Sequence, residues 1–112
     1  MTQRLAENSF TADTITVLIS PRIANVTVTN SSFIPTGNAN VSIGGGYITV
    51  TGAGFTANTQ VLVNRATVTS ISFVNTTQLN VQVPATAAGT YTMHVINSDG
   101  AFGIRVNAIS FS

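Results

Sequence analysis

Apolar residues in this chain recur at every second position, in short runs closed by Gly, Pro, Asn, Ser or Asp. The three-and-four spacing of an amphipathic helix occurs nowhere. A period of two places successive side chains on opposite faces of an extended strand. Leu79, Val81 and Val83 alternate until Pro84, which has no N–H to donate to a ladder. Tyr91, Met93 and Val95 alternate against Thr90, Thr92 and His94, and Val61 and Val63 run into an Asn64-Arg65 turn. Such runs return roughly every 8–12 residues, the spacing of an antiparallel sandwich. The many Val, Ile and Thr residues suit a pleated surface. The fold class predicted is all-β.

Residues 42–55 are the most regular part of the pattern. Gly44, Gly45 and Gly46 allow the chain to reverse, since glycine adopts positive φ without a Cβ penalty. Ile48 and Val50 then share one face of a strand, with Tyr47, Thr49 and Thr51 on the other. Gly52 and Gly54 permit a second turn and a close approach to a neighbour, and Phe55 is placed to plug one end of a core. Upstream, Ile23–Thr29 reads as a strand carrying Val26 and Val28, followed by a loop over Asn30–Asn40 with Phe33 and Ile34 at its centre. Downstream, Val68 and Ile71 break the period, which predicts a bend. Ile71 and Phe73 resume it. Asp99-Gly100 marks a tight turn. Two last strands follow, one holding Phe102, Ile104 and Val106 and the other Ile109 and Phe111.

The first twenty residues stand apart. Residues 1–12 have no period and read as an arm with two isolated apolar anchors, Leu5 and Phe10. Residues 13–19 alternate sharply, with Ile15, Val17 and Ile19 opposite Thr14, Thr16 and Leu18, and Ser20-Pro21 closes the run. It is either an extra edge strand of the same sandwich or a docking strand that adds to a neighbouring subunit. The chain thus divides into an arm and strand over 1–20 and a sandwich over 21–112.

Several pieces, in order, resemble the IPT/TIG branch of immunoglobulin-like domains. They are Pro21 and Ile23, the Gly45–Phe55 segment with its Gly-Gly and Gly-x-Gly-Phe, Val83-Pro84, Asn97-Ser98-Asp99-Gly100, and the ending Ile109-Ser110-Phe111. The resemblance implies an antiparallel immunoglobulin-like β-sandwich of the E-set type. The Asn30–Asn40 segment is longer than the brief turn usual there, and the pattern does not reach the first twenty residues.

Charged residues make up 6% of the 112 positions, against a usual share of roughly 25%. Thr, Ser and Asn must supply the polar surface, and with few charges there is little repulsion at contacts. The net charge of +1, with arginines scattered at 4, 22, 65 and 105, argues against nucleic acid as a partner. No run approaches the roughly 20 apolar residues of a membrane helix, so no membrane partner is expected. Cysteine is absent, which excludes disulfides and thiolate metal sites. The polar N-terminus lacks the apolar run of a signal peptide.

Catalysis needs titratable groups that converge. The chain holds one histidine, His94, and three carboxylates, Glu7, Asp13 and Asp99, none with a reason to face another. No nucleophile elbow accompanies His94. Gly44–Gly46 leads into a strand rather than a helix and there is no lysine, so it is no phosphate loop. Asn97, Ser98 and Asp99 are too few for calcium. No catalytic residue, metal or cofactor is expected. Tyr47, Tyr91 or a loop Phe would be a thin platform for sugars without tryptophan.

The expectation is a non-enzymatic structural protein of a phage virion, a capsid decoration or tail accessory subunit acting through protein–protein contacts. It follows from the low charge, the arm, and Met1 read as a native start without an export signal. Contact residues would be Leu5, Phe10, Ile15, Val17, Ile19, Phe33 and Ile34, and partners other capsid or tail proteins. By analogy it would form a cyclic homo-oligomer, a trimer. A host surface glycan is a further candidate ligand for the outer loops. The alternative is a spacer or ligand- or carbohydrate-binding module of a larger bacterial surface or secreted protein, placed outside the cell.

Overall fold

The computed structural model describes residues 20–112. The arm and the 13–19 strand expected from the sequence, with Leu5, Phe10, Ile15, Val17 and Ile19, lie outside the described residues. Eight strands follow in order: β1 (Arg22–Thr29), β2 (Gly46–Ala53), β3 (Gln60–Val63), β4 (Ala66–Thr67), β5 (Ser70–Asn75), β6 (Gln78–Val83), β7 (Gly89–Ile96) and β8 (Phe102–Phe111). They form two antiparallel four-stranded sheets, ordered β1-β2-β6-β5 and β4-β3-β7-β8. The described residues contain no helix.

The core lies between the sheets and follows the period of two. Ile48 and Val50 from β2 and Leu79, Val81 and Val83 from β6 face Val61 and Val63 from β3, Met93 and Val95 from β7, and Ile109 and Phe111 from β8. All are buried, each contributing about 1.5–3 kcal/mol through the apolar surface it removes from water. Phe55 closes one end of this layer and Val41 the other. Val41 reaches its place by pairing with the end of β8, its N–H donating to Ser110 O at 2.8 Å.

β1 needs a correction of phase to contribute. Ile23 sits opposite Gly52 while Val26 and Val28 sit opposite Val50 and Ile48, and all of these positions point inward. Ala24 is the extra residue of a bulge that makes this possible. The approach of β1 is so close that a Cβ on Gly52 would lie 1.7 Å from Arg22 O. Of Gly44, Gly45 and Gly46, the last of which opens β2, only Gly45 adopts positive φ, at 99°.

The period break between Val68 and Ile71 is where the chain changes sheets. Val68 N–H donates to Val61 O in one sheet and Thr69 N–H to Gln82 O in the other. Asn64 and Arg65, at φ of 53° and 65°, form the turn between β3 and β4, as expected. The two last strands expected from the sequence are one. The same ten-residue β8 carries Phe102 and Phe111, with an irregularity where residues 106–108 face Thr92 and Asn107 takes φ of 54°. The three-residue step from Val106 to Ile109 is a bulge inside a strand, not a boundary.

Candidate interaction surface

The outer faces of the two sheets differ in kind. On β1-β2-β6-β5 the cross-strand rows read Thr27, Thr49, Asn80, Ser72 and Thr29, Tyr47, Gln82, Ser70. These side chains bond to one another: Thr49 Oγ1 donates to Asn80 Oδ1 at 3.0 Å. On β4-β3-β7-β8 the rows read Thr67, Leu62, His94, Ile104 and Gln60, Ile96, Phe102. Phe102, Ile104 and Val106 are 58%, 52% and 68% exposed, a row of large apolar side chains along an edge strand. His94 lies in the middle of this face, and its Nδ1 is buried with no hydrogen-bond partner among the described residues. A groove beside it is lined by Asn64, Arg65, Thr90, Tyr91 and Thr92.

The other edge of β8 is also distinctive. Among the described residues its first half bonds to β7 on one side only, and the next hydrogen bonds on the other side are those of Val41 with Ser110 and Ser112. Natural sheets usually blunt such an edge with a charge, a proline or a cover. Here Arg105 is the one charge on β8.

At the end of the same sheet, Asn97 works as a buried tie. Its Nδ2 donates to Gly54 O at 2.9 Å, and its Oδ1 accepts the hydroxyl of Thr59, which in turn accepts the Thr56 N–H at 2.7 Å. The backbone of Asn97 closes the turn to Ala101. Asn97→Ala deprives Gly54 O of its side-chain donor and the Thr59 hydroxyl of its acceptor, a loss of about 2 kcal/mol. Urea unfolding is expected to show a lower midpoint with an unchanged slope. An unaltered midpoint would mean water replaces the amide.

The loop residues expected to act as contacts part company. Phe33 packs on the outer face of β2, its ring 5.6 Å from Tyr47 at an interplanar angle of 86°, while Ile34 is 58% exposed. Asn30 sets this geometry, its Oδ1 accepting from Ser32 and Ile34 N–H groups at 2.8 and 3.1 Å. Tyr91 is likewise engaged, stacking edge-on against Phe111 at 5.8 Å and donating to Ala87 O at 2.7 Å. Asp99 Oδ1 accepts from Ala101 N–H in the turn, so its carboxylate serves the backbone. Among the described residues, no group of three or more His, Asp and Glu is placed to hold a metal.

The family model for the IPT/TIG domain matches residues 28–112. The chain belongs to the IPT/TIG family. The match starts inside β1, after the bulge, and runs through the end of β8. IPT/TIG domains are immunoglobulin-like protein–protein interaction modules and are non-catalytic as a rule. A search of curated proteins finds no match.

Reading the sequence alone misses the row on β8. Its signal was parity: Ile109 and Phe111 occupy odd positions and point inward, so Phe102, Ile104 and Val106 at even positions point outward. Treating the segment as two strands hides that comparison.

Proposed function

We propose that this IPT/TIG domain is a non-enzymatic structural subunit of a phage virion, a capsid decoration or tail accessory protein. It docks onto other virion proteins through the outer face of β4-β3-β7-β8. The observation that carries the reading is the row of exposed apolar side chains on edge strand β8: Phe102, Ile104 and Val106, continued by Ile96 and Leu62. The outer rows of the other sheet hold Thr, Asn, Gln and Ser around Tyr47 and expose Phe73 and Val74 only on β5. Contiguous exposed apolar residues on a small domain mark a contact surface. A chain with 6% charged residues also meets little long-range repulsion when packed beside copies or partners.

The test is cosedimentation with phage particles, or with capsid and tail proteins encoded beside its gene. Replacing Phe102 by Ser, Ile104 by Thr and Val106 by Thr together is expected to weaken binding at least tenfold, about 1.4 kcal/mol. Surface changes of this kind alter stability by only about 0.5 kcal/mol. Ser72→Arg, on the polar outer face, should leave binding unchanged. Retained binding by the triple variant would move the contact elsewhere. Failure of the parent chain to sediment with any virion protein would end the virion reading.

A further inference from the structure

We infer that the groove at the β3–β4 turn binds an acidic saccharide, whose carboxylate is held between Arg65 and His94. The inference goes beyond the docking reading and does not depend on it. Gln60, Ile96 and Phe102 mark one end of the outer face of β4-β3-β7-β8, and the groove lies towards the other.

The groove is built mainly from polar side chains. Thr90, Thr92 and His94 line it from every second position of β7. Asn64 and Arg65 line it from the turn, which is fastened to β7 by the Asn64 N–H donating to Thr92 O at 3.3 Å.

Arg65 is held there at a cost. It takes φ of 65° at the second central position of a two-residue turn, where glycine avoids the contact between Cβ and the backbone. A bulky side chain kept in such a conformation points to a use for it. The lining holds no carboxylate to neutralise it. Asp99, the one carboxylate among the described residues, lies in the turn at the far end of β7, where it accepts the Ala101 N–H at 2.9 Å.

His94 supplies the second group. Its Nδ1 is buried with no partner among the described residues. A proton on that nitrogen would be buried without an acceptor, so the neutral ring is best satisfied with its proton on Nε2. That N–H is then the group free to meet a ligand. One guanidinium and one imidazole N–H match the two oxygens of a carboxylate, and a single fixed positive charge balances a monoanion rather than a phosphate dianion.

The rest of the groove exceeds what a carboxylate can use. From Thr90 to His94 the strand rises about 14 Å. Asn64 and the two threonines set an amide and hydroxyls along that length. Neutral donors and acceptors in a row beside one charge suit the hydroxyls of linked sugar rings. An acidic peptide side chain would engage the charge and leave the row unused.

The test titrates the full chain with trigalacturonate, with its methyl ester and with triglutamate, followed by amide NMR shifts. Expected is saturable movement of the Asn64, Arg65 and Thr92 amides with millimolar trigalacturonate. The methyl ester keeps the rings and loses the charge, and should bind about tenfold more weakly. Arg65→Gly should likewise bind trigalacturonate about tenfold more weakly. Its thermal midpoint should stay at or above the parent's, since glycine relieves the positive φ. Arg105→Gln removes an equal charge from the position opposite Met93, on the other side of β8 from Ile104, and should bind as the parent does. Equal losses in the two arginine variants would mean general charge attraction and overturn the inference. Triglutamate binding as tightly as trigalacturonate overturns the saccharide in favour of an acidic peptide. Shifts confined to other parts of the domain, or none at millimolar sugar, overturn the site itself.

Discussion

Phe55→Ala is expected to remove about 3–5 kcal/mol of folding stability. Phe55 is 1% exposed and sits where three parts of the fold meet. Gly54 ahead of it takes φ of 79°, which turns the chain off the end of β2 and drops the ring between the sheets. Its N–H is fixed by Thr76 O at 3.0 Å, so the backbone cannot slide to fill the space a smaller side chain leaves. The cavity therefore persists, and the loss lies at the upper part of the range. Domains of this size have about 5–15 kcal/mol in total. The thermal midpoint should fall by roughly 15–30 °C. Phe55→Leu, which keeps most of the volume, should lose less than half as much. If the alanine variant melts within a few degrees of the parent, Phe55 is not the plug of this core.

Gly52→Ala is expected to destabilise by about 3 kcal/mol, the upper end for an overpacked site. φ is not the reason, since Gly52 lies in a regular part of β2. The reason is the 1.7 Å separation between the added Cβ and Arg22 O, a backbone atom that cannot rotate aside. β1 must lift, and with it Ile23, whose side chain is buried by that approach. Gly44→Ala is the matched control: the nearest atom to its Cβ is Ser42 Oγ at 3.7 Å, so a change within about 0.5 kcal/mol is expected. Equal melting of the two variants would show that β1 does not cross so near. Hydrogen exchange in Gly52→Ala should rise first along Ile23–Val28, since those amides depend on the β1–β2 pairing.

Much of the fold is legible in the sequence, because its causes are local. Alternation marks Ile48, Val50, Leu79, Val81, Val83, Met93 and Val95 as inward, and all are buried. Turn chemistry places Asn64-Arg65 and Asp99-Gly100, where positive φ or a side-chain acceptor is needed within a few residues. Phe55 is identified by the glycines before it. The IPT/TIG resemblance rests on the same local marks, and the family match covers residues 28–112.

The candidate surface was less legible. Ile34 is exposed, but Phe33 beside it is held by Tyr47, and nothing within the loop separates the two. Phe102, Ile104 and Val106 have the composition of core residues and lie outward because β7 sets the parity of β8. Asn97 reads as a turn residue and proves to be a buried tie only because Gly54 and Thr59 come to it from the two ends of the β2–β3 loop.

By itself, then, the sequence determined strand against turn, inward against outward within a well-phased strand, and the family. These depend on φ preferences and on a period of two, which act over a few residues. Tertiary structure alone decided which sheet each strand joins, the bulge at Ala24, the closeness of Gly52 to Arg22 and of Gly103 to Pro21, and which sheet wears an apolar coat. Those follow from contacts between residues far apart in the chain, where the free energy belongs to the pair and neither partner carries it alone.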